Sequence, residues 1–358
     1  MVGSKENMVA IQLEDVRGFN YSGSWGTSGL DLWQHHDNGA MAVEVARGKA
    51  YFPGWNVARW WLSHEAFQRN PARFLANFEA GLAIFANHGI QVMPVLFNRW
   101  RDPVCDFGGV PLDHIIPGLS NHMHPDDFST LHREGASPSS IDTLFGAYIE
   151  AVVGDHASDD RIYAWDLCNE PLMGPYVNDA DSAIRQGELR WLAWCRDGAK
   201  RAGATQPVSI GNYPNATAIA LTEPLSDFIS FHPYYMPNMV SEAPIPAVPD
   251  LVSRPGFEEF LEQIVQFAEQ SGKGLLANET VWGANADDEH VAIIKDTLQM
   301  LNDRRIGFVV HALHHSLVAD LHAEEYGPVG PPGRLEFINA DGSLRVGHEA
   351  FNDYAPVR

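Results

Sequence analysis

The sequence predicts an α/β protein, a (β/α)8 barrel of the TIM type that fills one domain over residues 1–358, with its core from about residue 14 to 355. Three observations lead there. Eight short apolar strands recur along the chain, most of them separated by segments of helical periodicity. The long irregular stretches follow strands 3, 6 and 8, on the carboxyl side of each strand, where barrels carry their sites. No repeat, low-complexity tract or linker divides the chain.

Composition narrows the possibilities. Hydrophobic content is 45%, ordinary for a globular protein with a large core. The chain carries 46 acidic against 24 basic residues, a formal net charge of −22. Such a surface repels nucleic acid and anionic membranes, so neither is an expected partner. Cys105, Cys168 and Cys195 are too few and too scattered for a disulfide framework or a zinc site. Cys168 reads as a small core residue. No apolar run reaches the roughly 18–20 residues of a membrane span. The first residues lack the apolar core of a signal peptide, so a cytoplasmic location is expected, or a secreted one if a leader has been removed.

The elements follow in order. Val16–Tyr21 reads as strand 1, and the Gly- and Ser-rich Ser22–Leu30 as a loop. Trp25 in that loop is either a face for a sugar ring to stack on or a residue packed on the core. A helix is expected over Ala40–Arg47, then strand 2 over Gly54–Ser63. Arg59 lies inside that apolar strand and must be paired, because a lone buried charge is costly.

Phe74, Leu75, Phe78, Leu82 and Phe85 give one face of a helix over Asn70–His88, with Asn70 as cap and Pro71 in its first turn. Strand 3 is Ile90–Phe97, and Asn98, Arg99 and Trp100 at its carboxyl end should face the site. Residues 101–139 show no period and carry Asp102, Asp106, Asp113, His114, His122 and His124. This stretch reads as a wall over a cleft, with a structural cation as the alternative.

Ile141 to Val152 marks the next helix. Strand 4 runs from Arg161 into Asn169-Glu170-Pro171, where proline ends the ladder and leaves an amide and a carboxyl on the rim. A helix over Asp181–Arg201 precedes strand 5, Pro207–Asn212. Strand 6, Phe228–Phe231, ends in His232-Pro233-Tyr234. The proline-rich 236–256 stretch is a rim loop, and Phe257 to Ala268 a helix. Strand 7, Gly274–Glu279, repeats the form of strand 4, ending in a glutamate followed by Trp282-Gly283. A helix capped by Asp287 or Asp288 runs to Leu301, strand 8 is Ile306–Leu313, residues 327–333 form a loop, and a last helix begins near Gly347.

Glu279 lies 109 positions after Glu170, room for about three βα units of roughly 30 residues each. Two strand-end glutamates three units apart are what a two-carboxylate glycosidase in a barrel requires. Here the chain resembles the large clan of retaining (β/α)8 glycoside hydrolases, nearest in style to family 5, the cellulase and mannanase family. The resemblance spans almost the whole chain but rests on a handful of strand ends. It implies Glu170, in Asn-Glu-Pro, as acid/base and Glu279 as nucleophile. It also implies that Arg59 supports the nucleophile, that Tyr234 hydrogen-bonds it with His232 in the same polar cluster, and that Asn169 reaches the 2-hydroxyl of the sugar.

Hydrolysis of a glycosidic bond needs a proton for the leaving oxygen and support for an oxocarbenium-like centre. Glu170 would therefore stay protonated beside a negative neighbour while Arg59 and Tyr234 keep Glu279 ionised. The carboxyls should stand about 5–5.5 Å apart. No cofactor or metal is expected, and the partner is a carbohydrate. Two strand ends depart from the family. His311 stands where strand 8 usually places a tryptophan under the sugar, with Trp282 able to supply that platform instead. Asn98-Arg99 replaces the histidine that many members carry on strand 3. Glucan, xylan and mannan, and endo or exo action, stay open. A non-catalytic sugar-binding barrel or a metal-dependent barrel hydrolase are the other readings, although strand 1 lacks the His-x-His that would favour the latter.

Overall fold

The computed structural model describes residues 11–26, 29–98, 140–172, 175–239, 250–316 and 333–355. Eight parallel strands close into a barrel in chain order: β1 (Arg17–Tyr21), β2 (Val57–Trp61), β3 (Gln91–Asn98), β4 (Trp165–Asn169), β5 (Val208–Asn212), β6 (Ile229–Phe231), β7 (Leu275–Thr280) and β8 (Gly307–Val310). The helices are α1 (Gly29–Gln34), α2 (Asn38–Tyr51), α3 (His64–Arg69), α4 (Pro71–Ala86), α5 (Ser140–Gly154), α6 (Ala183–Arg201), α7 (Ala216–Thr222), α8 (Arg254–Ser271) and α9 (Asp287–Asp303). Among the described residues no helix is long and apolar enough to cross a membrane. Arg99, Trp100 and the 101–139 stretch with its aspartates and histidines lie outside the described residues, as does much of the expected 236–256 and 327–333 loops.

Strand periodicity sorts the side chains. Phe19, Ala58, Trp60, Ile210, Phe231, Phe308 and Val310 face outward into the layer shared with the helices. The alternate set faces the axis. At the amino ends of the strands it is apolar, with Val16, Val57, Met93, Ala164, Phe228, Leu276 and Val309 forming a plug. Further along most of these strands the inward set turns polar: Asn20, Arg59, Asp166, Ser209, Ser230 and Asn278 are all buried. A rigid apolar floor thus carries a polar upper layer.

Several elements differ from the sequence reading. Regular strand 4 starts at Trp165 rather than Arg161; before it only Ile162 makes an isolated bridge, to Val92. The last helix is a 3-10 segment, His348–Tyr354, not an α-helix. Ala286, without a side-chain cap, precedes α9, and the Asp287 carboxylate instead accepts from Arg345. Helices α1, α3 and α7 are of six or seven residues, too short to show a period. Asn70 caps α4 through Arg73 N–H with Pro71 in the first turn, as expected.

Candidate active site

The site is built on Arg59. Its guanidinium is fully buried in β2 and donates to four side chains: Nε to Asp166 Oδ2 (2.9 Å), Nη1 to Asn20 Oδ1 (2.9 Å) and Glu279 Oε2 (2.6 Å), Nη2 to Asn169 Oδ1 (2.7 Å). Asp166 is held further by the Gly211 N–H at 3.0 Å and Asn278 Nδ2 at 3.0 Å. Gly211 leaves space for this. A Cβ there would lie 2.9 Å from each of Arg59 Nη2, Asn278 Nδ2 and Asp166 Oδ2.

Both glutamates owe their placing to irregular backbone. On β7, period two would turn Asn278 inward and Glu279 outward. The register slips between Ala277 and Thr280, and both side chains reach the inner network. On β4 the slip lies between Asp166 and Asn169, leaving both on Arg59 while Leu167 and Cys168 pack outward. Glu170 follows with φ 48°, a left-handed conformation that costs a non-glycine residue roughly 1–2 kcal/mol. Its N–H is tied to Gly211 O at 2.7 Å.

Glu279 Oε1 accepts from Tyr234 Oη at 2.7 Å. Burial pushes its carboxyl up, but His232, His311 and Arg59 and the Tyr234 hydrogen bond outweigh burial and hold it down at about 2. Of these, Arg59 at 2.6 Å is charged at every working pH, so its part of the lowering is present whatever the protonation of the histidines. Burial, then Glu279, drives the Tyr234 hydroxyl well above 10, so it remains a donor. Burial lowers His311 despite Glu279, which favours its neutral form. His311 Nδ1 lies 3.3 Å from Tyr234 Oη and 3.6 Å from Glu279 Oε1. Because the tyrosine gives its proton to Glu279, Nδ1–H must be the donor to the tyrosine oxygen.

Glu170 Oε1 is 2.7 Å from His232 Nδ1, while His232 Nε2 is buried with no hydrogen-bond partner among the described residues. One oxygen of Glu170, one oxygen of Glu279 and a ring nitrogen of His232 all lie within 4.8 Å of one another. This donor set could hold a cation in principle. Here, however, both oxygens of Glu279 are already bonded, one of them to a guanidinium, and a second positive charge there would meet Arg59.

Most of the candidate residues named from sequence come together here: Arg59, Asn169, Glu170, His232, Tyr234, Glu279 and His311. Asn98 joins them, its Oδ1 accepting from Asn169 Nδ2 at 3.0 Å. Trp282 stands edge-on to Tyr234, with centroids 5.6 Å apart. Trp25 lies elsewhere. Its indole donates to Leu32 O at 3.0 Å and its ring meets His36, and among the described residues no hydrogen bond or ring contact joins it to the cluster. Sequence reasoning missed Asn20, Asp166, Asn278, Gly211 and Trp61. For Asn20, Trp61, Asp166 and Asn278 the signal was available: each lies an even number of residues from an inward position of its strand.

No family model matches the chain. A stretch of 161 residues is 24% identical to the probable mannan endo-1,4-β-mannosidase A of Aspergillus clavatus, covering 41% of this chain and 40% of that protein, so the match spans less than half of that relative. In fold, 94% of the chain superposes on an exo-β-1,4-mannosidase from Opitutaceae bacterium strain TAV5 with a TM-score of 0.69 at 17% identity, covering 58% of that chain. It superposes also on the hyperthermostable endo-1,4-β-D-mannanase of Thermotoga petrophila RKU-1, with a TM-score of 0.61 at 16% identity over 94% of this chain and 99% of that one. The chain therefore has the fold of the (β/α)8 glycoside hydrolases and resembles those of the family 5 type.

Proposed function

We propose that this chain is a retaining β-glycoside hydrolase acting on β-linked mannan-type oligo- or polysaccharide. The observation that carries the reading is the pair of strand-end glutamates with oxygens within 4.8 Å, one of them held ionised by Arg59 and Tyr234. That closeness suits retention. Inverting enzymes need about 6.5–9.5 Å between carboxyls to seat a water. Among sugars, mannose is favoured because the partial sequence match and the neighbours above are mannanases and a mannosidase.

In the first step a Glu279 oxygen bonds to the anomeric carbon from one face as the glycosidic C–O bond breaks. Glu170 gives its proton to the leaving oxygen. In the second step water attacks the same carbon from the side the leaving group vacated, Glu170 takes a proton from it, and the Glu279 ester bond breaks, freeing sugar and carboxylate. Arg59 loses one of its two charged partners on glycosylation, keeping Asp166, and regains Glu279 on release, which favours Glu279 as a leaving group. The Asn169 amide has one N–H on Asn98 and a second available for the 2-hydroxyl.

The test is hydrolysis of a panel of aryl β-glycosides (mannoside, glucoside, xyloside, galactoside) and the matching polysaccharides. Wild type should cleave the mannoside or mannan. Glu279→Ala should lose about 10⁴-fold or more, with azide restoring part of the rate as an α-glycosyl azide. Full activity in Glu279→Ala would overturn the assignment. Glu170→Ala should cost about 10²–10⁴-fold on substrates with poor leaving groups and much less on activated aryl glycosides.

A further inference from the structure

The strand 8 position that carries a tryptophan in the enzymes this chain resembles holds His311, which is engaged with Tyr234 and Glu279. The platform for the sugar must then come from another strand. Trp61 ends β2 two residues after Arg59, so period two places it on the same inward face, one layer higher. The Arg59 guanidinium carbon lies 5.1 Å from the centre of its ring. Its edge meets the His311 imidazole, centroids 5.5 Å apart at 63°. The ring is thus fixed from below and from one side by two residues that both approach Glu279, yet it is only half-buried.

A second observation concerns its polar atom. Trp33, Trp55 and Trp165 each donate their indole N–H to an oxygen of the protein. The Trp61 N–H is shielded from solvent and has no acceptor among the described residues. Buried donors are rarely left so, and one at the carboxyl rim of the barrel, on a ring held by Arg59 and His311, is placed for an oxygen supplied from outside the protein. Trp282 shares the lack of an acceptor but stands against Tyr234, without contact to Arg59 or His311 among those described.

We propose that Trp61 is the sugar platform of this site, stacking on the ring bound beside Glu279 and donating its indole N–H to an oxygen of that sugar. The proposal rests on the glycosidase reading and adds the residue that selects and orients the sugar. A tryptophan locked by its neighbours gives its face and its one donor at little entropic cost. Its face suits the C–H face of a pyranose, and its N–H discriminates among sugars by hydroxyl position.

The test uses Glu170→Gln, which slows turnover without touching Arg59 or Trp61. β-1,4-Mannobiose, cellobiose and xylobiose are titrated by calorimetry into this parent and into its Trp61→Phe, Trp61→Ala and Trp282→Phe derivatives. For the best-bound disaccharide, Trp61→Phe should raise Kd about 2- to 10-fold, the loss of one neutral hydrogen bond with the ring kept. Trp61→Ala should raise it by more than about 30-fold. The Trp61 indole N–H resonance, assigned by its absence in Trp61→Phe, should move when sugar is added to the parent. Unaltered Kd in both Trp61 variants with a stationary indole signal overturns the proposal, and wild-type hydrolysis then leaves the glycosidase reading standing. A parent that binds none of the three overturns it as well, and takes the glycosidase reading with it where wild type also cleaves nothing on the panel.

Discussion

Arg59 holds four partners with one guanidinium, and much of the site's behaviour follows from that. Replacing it with methionine would leave Asp166 and Glu279 buried and facing a vacated cation site. Breaking such a pair typically costs about 3–5 kcal/mol, so Arg59→Met should unfold at clearly lower urea, with activity lost alongside. Tyr234→Phe is the finer probe. It removes one hydrogen bond from a carboxylate, worth about 1.5–3 kcal/mol. The Glu279 pKa should therefore rise by roughly one to two units and carry the acid limb of kcat/KM upward with it. The sign follows from the lowered folded value. A carboxyl near 2 in the fold and near 4.5 when unfolded contributes stability above 4.5 that is lost as pH falls toward 2. An acid limb that stays in place in Tyr234→Phe would remove Tyr234 from the support of Glu279.

At the scale of single strands, the irregular residues matter as much as the regular ones. Period two in β2 places Arg59 and Trp61 on the axis, and that much is legible in Val57-Ala58-Arg59-Trp60-Trp61. In β7 the same rule would send Glu279 outward. The slip that turns it in is a choice of backbone that apolar patterning does not encode, and so is the left-handed φ of Glu170. The chemistry of Asn-Glu-Pro and its strand 7 counterpart was readable from residue type and strand end. The hydrogen bonds of Asp166 and Asn278 were not, because partners more than a hundred residues apart meet only once the barrel closes. Gly211 shows what that closure demands. Gly211→Ala would press a methyl group 2.9 Å from three atoms of the ion-pair network and should cost about 1–3 kcal/mol together with much of the activity. Gly198→Ala is the contrasting case. It lies within α6, a new methyl would meet Ile149 at an ordinary 3.5 Å, and it should stabilise by about 0.5–1 kcal/mol and leave kcat/KM unchanged. Equal effects of the two substitutions in thermal unfolding would show that crowding at Gly211 is absorbed.

Over the whole molecule, residues 333–355 tie the end of the chain back to its start. Asn352 donates to Tyr51 O at 2.9 Å, and Arg17 of β1 donates to Tyr354 O. The segment is pinned by Arg345, which is buried and bonds Asp287 at 2.8 Å, the carbonyls of Ala284 and Glu336, and His290 Nδ1 at 2.9 Å. His348 Nε2 also approaches His290 Nδ1 at 2.9 Å. With an arginine donating to it, that nitrogen can only be an acceptor, so His290 is neutral with its proton on Nε2, and protonating Nδ1 would break both contacts. Burial, then His348 and Arg345, holds His290 well below 6.5, and burial with Arg345 holds His348 at about 4. For a base lowered in the fold the unfolded chain binds more protons, so stability falls as pH drops through 6.5 and goes on falling toward 4, where folded His348 takes its own proton. The urea midpoint should therefore decline from pH 7 to pH 4. His290→Gln keeps an oxygen acceptor for Arg345 and His348 but cannot titrate, and should flatten that decline. Glu279 contributes little there, since its stabilising range is lost mainly below 4.5. Parallel slopes in wild type and His290→Gln would place the acid sensitivity elsewhere, in carboxylates rather than in the closure of the barrel by its last residues.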